Sequence, residues 1–174
     1  MNCTHPHVVV TGASTGIGRA TAVRLAEAGW HVFAGVRRHV DGDSLREAAG
    51  ESGARVTPVL MDVTATDQID AGVVTVTDHV GPSGLDGLVD NAGIGVTSPM
   101  ELVPLDALRL QFEVNVIGQV VVTQAFLPLL RQAKGRIVVI GSIGDRFTPP
   151  TKRSTNPSLC MSIWRCAPVR AVSR

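Results

Sequence analysis

A chain of 174 residues has the size of one domain and can bury a substantial core. Hydrophobic residues make up 44% of it and aromatic ones only 3%, so that core must be built from Val, Leu, Ile and Ala. The formal net charge of +1 gives no sign of a polyanionic partner, although Lys and Arg against Asp and Glu run 11 to 15 over Met1–Pro150 and 5 to 0 over Thr151–Arg174.

Short β-branched runs bounded by turn residues alternate with Ala- and Leu-rich segments of helical length. In chain order the pattern predicts a strand at His7–Thr11, a helix over Gly16–Ala28 and a strand at His31–Gly35. A helix over Asp43–Ala49, a strand at Arg55–Met61 and a helix over Thr66–Val80 follow. The series closes with a strand at Gly87–Asp90, a long helix over Asp106–Ala133 and a strand at Arg136–Ile140. Such alternation implies parallel strands joined by right-handed crossovers, with helices on both faces of one sheet. The long helix is apolar on nearly every face and is expected to be buried on several sides. Its most apolar stretch, Val114–Leu130, is interrupted by Asn115, Gln119, Thr123, Gln124 and Pro128, too short and too polar for a membrane span. Residues 1–150 therefore read as one α/β domain and 151–174 as a separate basic tail.

Cys3, Cys160 and Cys166 form no metal-ligand spacing and leave one thiol unpaired, as in a reduced, cytoplasmic setting. Met1–His5 lacks the basic-then-apolar layout of a signal peptide. His5-Pro6-His7 supplies too few ligands for a metal.

The strongest local signal is Thr11-Gly12-Ala13-Ser14-Thr15-Gly16-Ile17-Gly18, between the first strand and the first helix. Gly12 permits a tight exit from the strand, while Gly16 and Gly18 remove side chains where a diphosphate must approach the backbone. The free N–H groups of Ser14 to Gly18 and the positive end of the helix would then face the anion. No Lys-Ser or Lys-Thr follows, so this is not a triphosphate-binding loop. A merely structural glycine turn is the alternative. After the second strand comes Arg37-Arg38 with no acid. A carboxylate there would bind the ribose hydroxyls of NAD, whereas Arg37 can grip a 2′-phosphate through two parallel hydrogen bonds, so NADP is expected, with NAD as the alternative. Solvated loop charges are the competing reading of this pair.

These motifs, in this order over Val8–Gly144, resemble the short-chain dehydrogenase/reductase family. The resemblance implies a three-layer, Rossmann-like, doubly wound parallel sheet of order 3-2-1-4-5, incomplete at its C-terminal side. It implies that Asp62-Val63 contacts the adenine ring, that Asn91-Ala92-Gly93 supports the sheet beside the cofactor, and that Asn115 and Ser142 are catalytic. It implies hydride transfer between NADP and a small-molecule carbonyl or alcohol, with neither nucleic acid nor membrane as partner.

One departure decides how that activity is read. The family follows its serine with Tyr-x-x-x-Lys, a general acid and the cation that tunes it. This chain contains no tyrosine, and the commonest spacing from Ser142 falls on Thr155 and Leu159. A free tyrosine titrates at about 10, so a threonine hydroxyl without a neighbouring cation is no substitute. Thr151–Arg174 also carries Pro157 and Pro168 and no amphipathic period. It is expected to be a truncated or frame-shifted remainder, disordered or loosely draped; a basic arm for nucleic acid or a membrane is the competing reading. Loss of the covering helix should leave Val116, Val120, Phe126 and the edge of Arg136–Ile140 open, favouring self-association through the long helix. A non-catalytic nucleotide-binding remnant is the second functional class.

Overall fold

The computed structural model describes residues 5–96 and 102–141, and the backbone of Ala167–Pro168. The strands are β1 (His7–Val10), β2 (His31–Val36), β3 (Val56–Leu60), β4 (Gly87–Asp90) and β5 (Arg136–Val139). The helices are α1 (Gly16–Glu27), α2 (His39–Ala48), α3 (Thr66–Val80), α4 (Leu105–Phe112) and α5 (Gln119–Ala133). The five strands pair in parallel in the order β3-β2-β1-β4-β5, as expected from the alternating pattern.

Strand alternation sorts the core into two halves. Val8 and Val10 point to the face covered by α1 and α2, where they meet Val32, Ala34, Ala22 and Leu45. Val9 points the other way, joining Phe33, Leu88, Ile69, Val122 and Phe126 beneath α3 and α5. A period of two along each strand is what lets one sheet feed both layers.

Several expectations need correction. The second helix starts at His39 and not Asp43. Gly42 disguises the start, because glycine weakens a helix; here it lets α2 lie directly on Pro58, whose Cβ stands 2.5 Å from where a Gly42 side chain would begin. The long helix is not buried on several sides. Leu105, Leu110, Phe112, Ile117 and Val120 are exposed, whereas Phe126, expected to lose its cover, is fully buried. The helix also contains a π segment, Glu113–Gly118, between α4 and α5. It runs unbroken over Leu105–Ala133, 29 residues, and by length and composition could cross a membrane, unlike the shorter stretch weighed above. Val122, Phe126, Leu129 and Leu130 nevertheless pack into the sheet core. Finally, the outer edge of β5 is not wholly open. A two-residue strand β6 (Ala167–Pro168) pairs antiparallel with it, Pro168 opposite Arg136 and Ala167 opposite Ile137. Proline is tolerated there because β6 is an edge.

At the N-terminal edge of the strands His7, His31 and His79 gather around Phe33, with 4.2 Å between the His31 and His79 ring centroids. Burial, then the neighbouring His79 and His7, push His31 down to about 4, so its ring is neutral at neutral pH. Its Nε2 lies 2.9 Å from the Thr57 hydroxyl.

Candidate nucleotide-binding cleft

The opposite, C-terminal edge of the strands carries a cleft of about 490 Å³. Open α/β sheets bind ligands there, where neighbouring connections diverge to the two faces. The diverging connections are those after β1 and β4, and the sequence-derived residues fall around them. Gly12, Ser14, Thr15 and Ile17 come from the glycine loop. Arg37 comes from the end of β2, and Asp62 and Val63 from the end of β3. Asn91, Ala92 and Gly93 follow β4, and Asn115 comes from the π segment. Ser142 lies outside the described residues, although Ile140 and Gly141 just before it line the cleft. Thr155 and Leu159 lie outside them too.

The glycine loop divides its labour differently from the sequence reading. Gly12 has φ +62, and a side chain there would sit 2.8 Å from the Ala92 Cα. Gly16 has φ +56 with open space beside it, the property a close ligand needs. Gly18 faces inward and does not line the cleft. A side chain on it would run into the Asn91 amide and the Gly12 carbonyl oxygen, so this glycine serves helix–strand packing. Thr15, the N-cap of α1, makes no side-chain cap bond, and the first turn of α1 holds no acid. The exposed N–H groups of that turn are therefore left for an outside acceptor, and a diphosphate suits this donor set.

Thr11 is the residue that sequence reasoning missed. Its Oγ1 accepts from the backbone N–H of Asn91 (2.9 Å) and of Ala92 (3.0 Å). The Asn91 Nδ2 in turn donates to the Thr11 and Gly12 carbonyls, at 3.0 and 3.1 Å. The two loops thus lock each other, and Asn91 supports the sheet through the glycine loop. Gly118 in the π segment approaches Val63, whose carbonyl oxygen is 2.8 Å from where its side chain would begin, which brings the helix onto the end of β3.

Charge is arranged unevenly along the cleft. Arg38 is taken up by Asp41, through Nε–Oδ2 at 3.0 Å and Nη2–Oδ1 at 2.7 Å. Arg37 lines the cleft and has no ion pair among the described residues. Burial alone would raise Asp62, but the Thr64 N–H and hydroxyl, both donating to its Oδ1, and the Arg37 guanidinium hold it below the usual carboxylate range. At the foot of the cleft wall Asp90 is fully buried, and burial pushes it up to about 7. Thr123 donates to its Oδ2 at 2.8 Å, and its Oδ1 has no partner among the described residues.

Asn115 lines the cleft with its side-chain amide tied to the Ile94 backbone. Its Oδ1 accepts from the Ile94 N–H (2.9 Å) and its Nδ2 donates to the Ile94 carbonyl (2.8 Å). Gln111, buried on the same helix, accepts the Val96 N–H at 2.8 Å. The regular four-residue spacing of polar groups in an apolar helix was the available signal for Gln111.

A doubly wound sheet with a glycine-rich first turn, a basic residue after β2 and a cleft across the strand ends defines a dinucleotide-binding domain of the oxidoreductase type. The short-chain dehydrogenase family model matches residues 6–152, and the chain belongs to that family. Similar curated proteins include dehydrogenase/reductase SDR family member 9 of Bos taurus, 36% identical over 84% of this chain and 45% of that protein. Estradiol 17-beta-dehydrogenase 2 of Mus musculus is 40% identical over 79% of this chain and 36% of that protein. The chain thus spans less than half the length of these relatives. Among solved structures, an alcohol dehydrogenase from Thermococcus sibiricus complexed with 5-hydroxy-NADP superposes with a TM-score of 0.79 at 25% identity, over 90% of this chain and 64% of that one.

Proposed function

We propose that this chain binds NADP in preference to NAD across the C-terminal edge of its sheet. Its cleft is that of an oxidoreductase moving hydride between NADP and a carbonyl or alcohol. The observation that carries the reading is the gathering of the glycine loop, Arg37, Asp62-Val63, Asn91-Ala92-Gly93 and Asn115 around one cleft, although they span more than a hundred residues of sequence. The N–H groups of the α1 turn suit the diphosphate, Arg37 suits a 2′-phosphate, and Asp62 and Val63 flank the adenine end. The bound nicotinamide would supply the hydride; the chain would hold it, with Ser142 as the substrate-polarising hydroxyl.

Arg37→Asp should weaken NADP binding by about 1.5–3 kcal/mol, the range for a hydrogen bond to a charged group, and NAD binding far less. Calorimetry with both nucleotides measures this. Equal weakening would remove Arg37 as the discriminator, and no binding of either nucleotide by the parent would sink the reading.

A second reading, nucleotide binding without turnover, is favoured by the absence of any tyrosine. General acid–base catalysis contributes roughly a hundred- to ten-thousand-fold. We expect NADPH oxidation with a panel of ketones to be slower than in a tyrosine-bearing relative by about that factor. Turnover at an ordinary rate would reject this second reading and point to another acid. The exposed Leu110, Phe112, Ile117 and Val120 support self-association through the long helix.

A further inference from the structure

Four polar side chains stand four residues apart on the long helix: Gln111, Asn115, Gln119 and Thr123. They bond to residues two apart on the chain leaving β4, namely Val96, Ile94, Ala92 and Asp90 in that order. The contacts measure 2.8 Å for Gln111, 2.9 and 2.8 Å for Asn115, 3.5 Å for Gln119 and 2.8 Å for Thr123.

The lengths match, since four helical residues rise about 6 Å and two extended residues about 6.6 Å. The angles would not match in an ordinary helix. At 3.6 residues per turn each step of four overshoots by about 40°, so the stripe would drift by about 120° between Gln111 and Thr123. The π segment Glu113–Gly118 lies between them, and its wider i→i+5 turn rotates less per residue and takes the drift back. Residues 92–96 belong to no strand, and the helix side chains occupy the bonding positions that a neighbouring strand would fill. The same segment forms one wall of the cleft through Ala92, Gly93 and Ile94. In the sheet order this wall lies on the β4 side of β1, away from Arg37 after β2 and Asp62 after β3.

We infer that Gln111, which does not itself line the cleft, is a positioning residue: through Val96 it holds the wall 92–94 preformed for the half of the dinucleotide remote from Arg37. The inference rests on the nucleotide reading above. Without this anchor the wall must be ordered when ligand binds, at a cost borne by the whole dinucleotide and not by its adenosine half.

The test uses the full chain with Gln111→Leu and the length-matched Gln111→Met, either of which suffices if the other does not fold. Gln132→Leu serves as control; Gln132, on the same long helix as Gln111 but outside the cleft lining, donates to the Pro82 carbonyl. Calorimetry with NADP and with adenosine 2′,5′-bisphosphate gives two affinities, and hydrogen exchange reads the Val96 amide. The expected result is an NADP affinity lowered about tenfold, a bisphosphate affinity unchanged, and faster exchange at Val96, with the control like the parent. Equal loss of both affinities, or no loss of either, overturns the inference while the parent still binds. A parent that binds neither ligand overturns the nucleotide reading and the inference together.

Discussion

Replacing Asp90 by asparagine should make the protein about 4 kcal/mol more stable, relative to its parent, at pH 8 than at pH 4. The folded carboxyl keeps its proton up to about 7 against 3.8 for an ordinary aspartate, a gap of about three units at 1.36 kcal/mol each. The cause is burial: Thr123 satisfies one oxygen, and among the described residues the other has no partner. The folded state binds the proton more tightly than the unfolded one. This contribution to stability is therefore complete below pH 3.8 and is lost as pH rises toward 7. His31 has the opposite sign. Its folded value is lowered to about 4, so its contribution is complete above pH 6.5 and is lost as pH falls toward 4. The His31 ring is partly exposed, so solvent screening shrinks its share. The parent's own stability curve will consequently look flatter than Asp90 alone would make it, and the difference between parent and variant isolates the carboxyl. Urea denaturation across this range measures it. A difference independent of pH would mean that Asp90 ionises freely where it sits.

Gly18→Ala should cost about 3–5 kcal/mol, while Gly16→Ala should cost about 1–2. At Gly18 the new methyl overlaps the Asn91 amide and the Gly12 carbonyl oxygen. Overpacking of that kind costs roughly 1–3 kcal/mol, and displacing the amide leaves buried polar groups unpaired for about 1–3 more. At Gly16 there is open space, and only the left-handed backbone is penalised. In a domain of this size the Gly18 change lowers Tm by roughly 6–20 °C. Nucleotide affinity should respond in the opposite order, because Gly16 has open space beside it and Gly18 faces the sheet. Thermal melts of the two variants decide the first point, and similar losses at both positions would reject the division of roles.

The fold was legible because its signals are local. Val8, Val9 and Val10 alternate between two cores, Gly12 and Gly16 announce a turn, and short strands bounded by Gly and Asp repeat. Arg37 could be placed at the cleft because it follows a strand immediately. The pairing of Arg38 with Asp41 could not be read, since it forms only once α2 begins at His39. The burial of the long helix was misjudged for a related reason. Composition says that it is apolar, but only its Val122, Phe126, Leu129 and Leu130 face find the sheet. Asn115, Gln119 and Thr123 looked like interruptions of an apolar run, and Gln111 drew no notice. Their common spacing becomes meaningful beside a partner segment with half that spacing, which is a tertiary fact.

The π segment gives this helix an unusual tolerance of length. A wide turn accommodates one residue more than the ordinary winding would, so removing a single residue from Glu113–Gly118 would leave a well-formed helix. Everything beyond it would keep its direction, because eleven steps of about 100° bring Thr123 back to within about 20° of Gln111, still beside Asp90, with Phe126 still toward the core. A deletion from an ordinarily wound stretch ahead of it, by contrast, would turn the fifteen residues of α5 by about 100°. Chain length is therefore less tightly constrained through this turn than elsewhere along the helix.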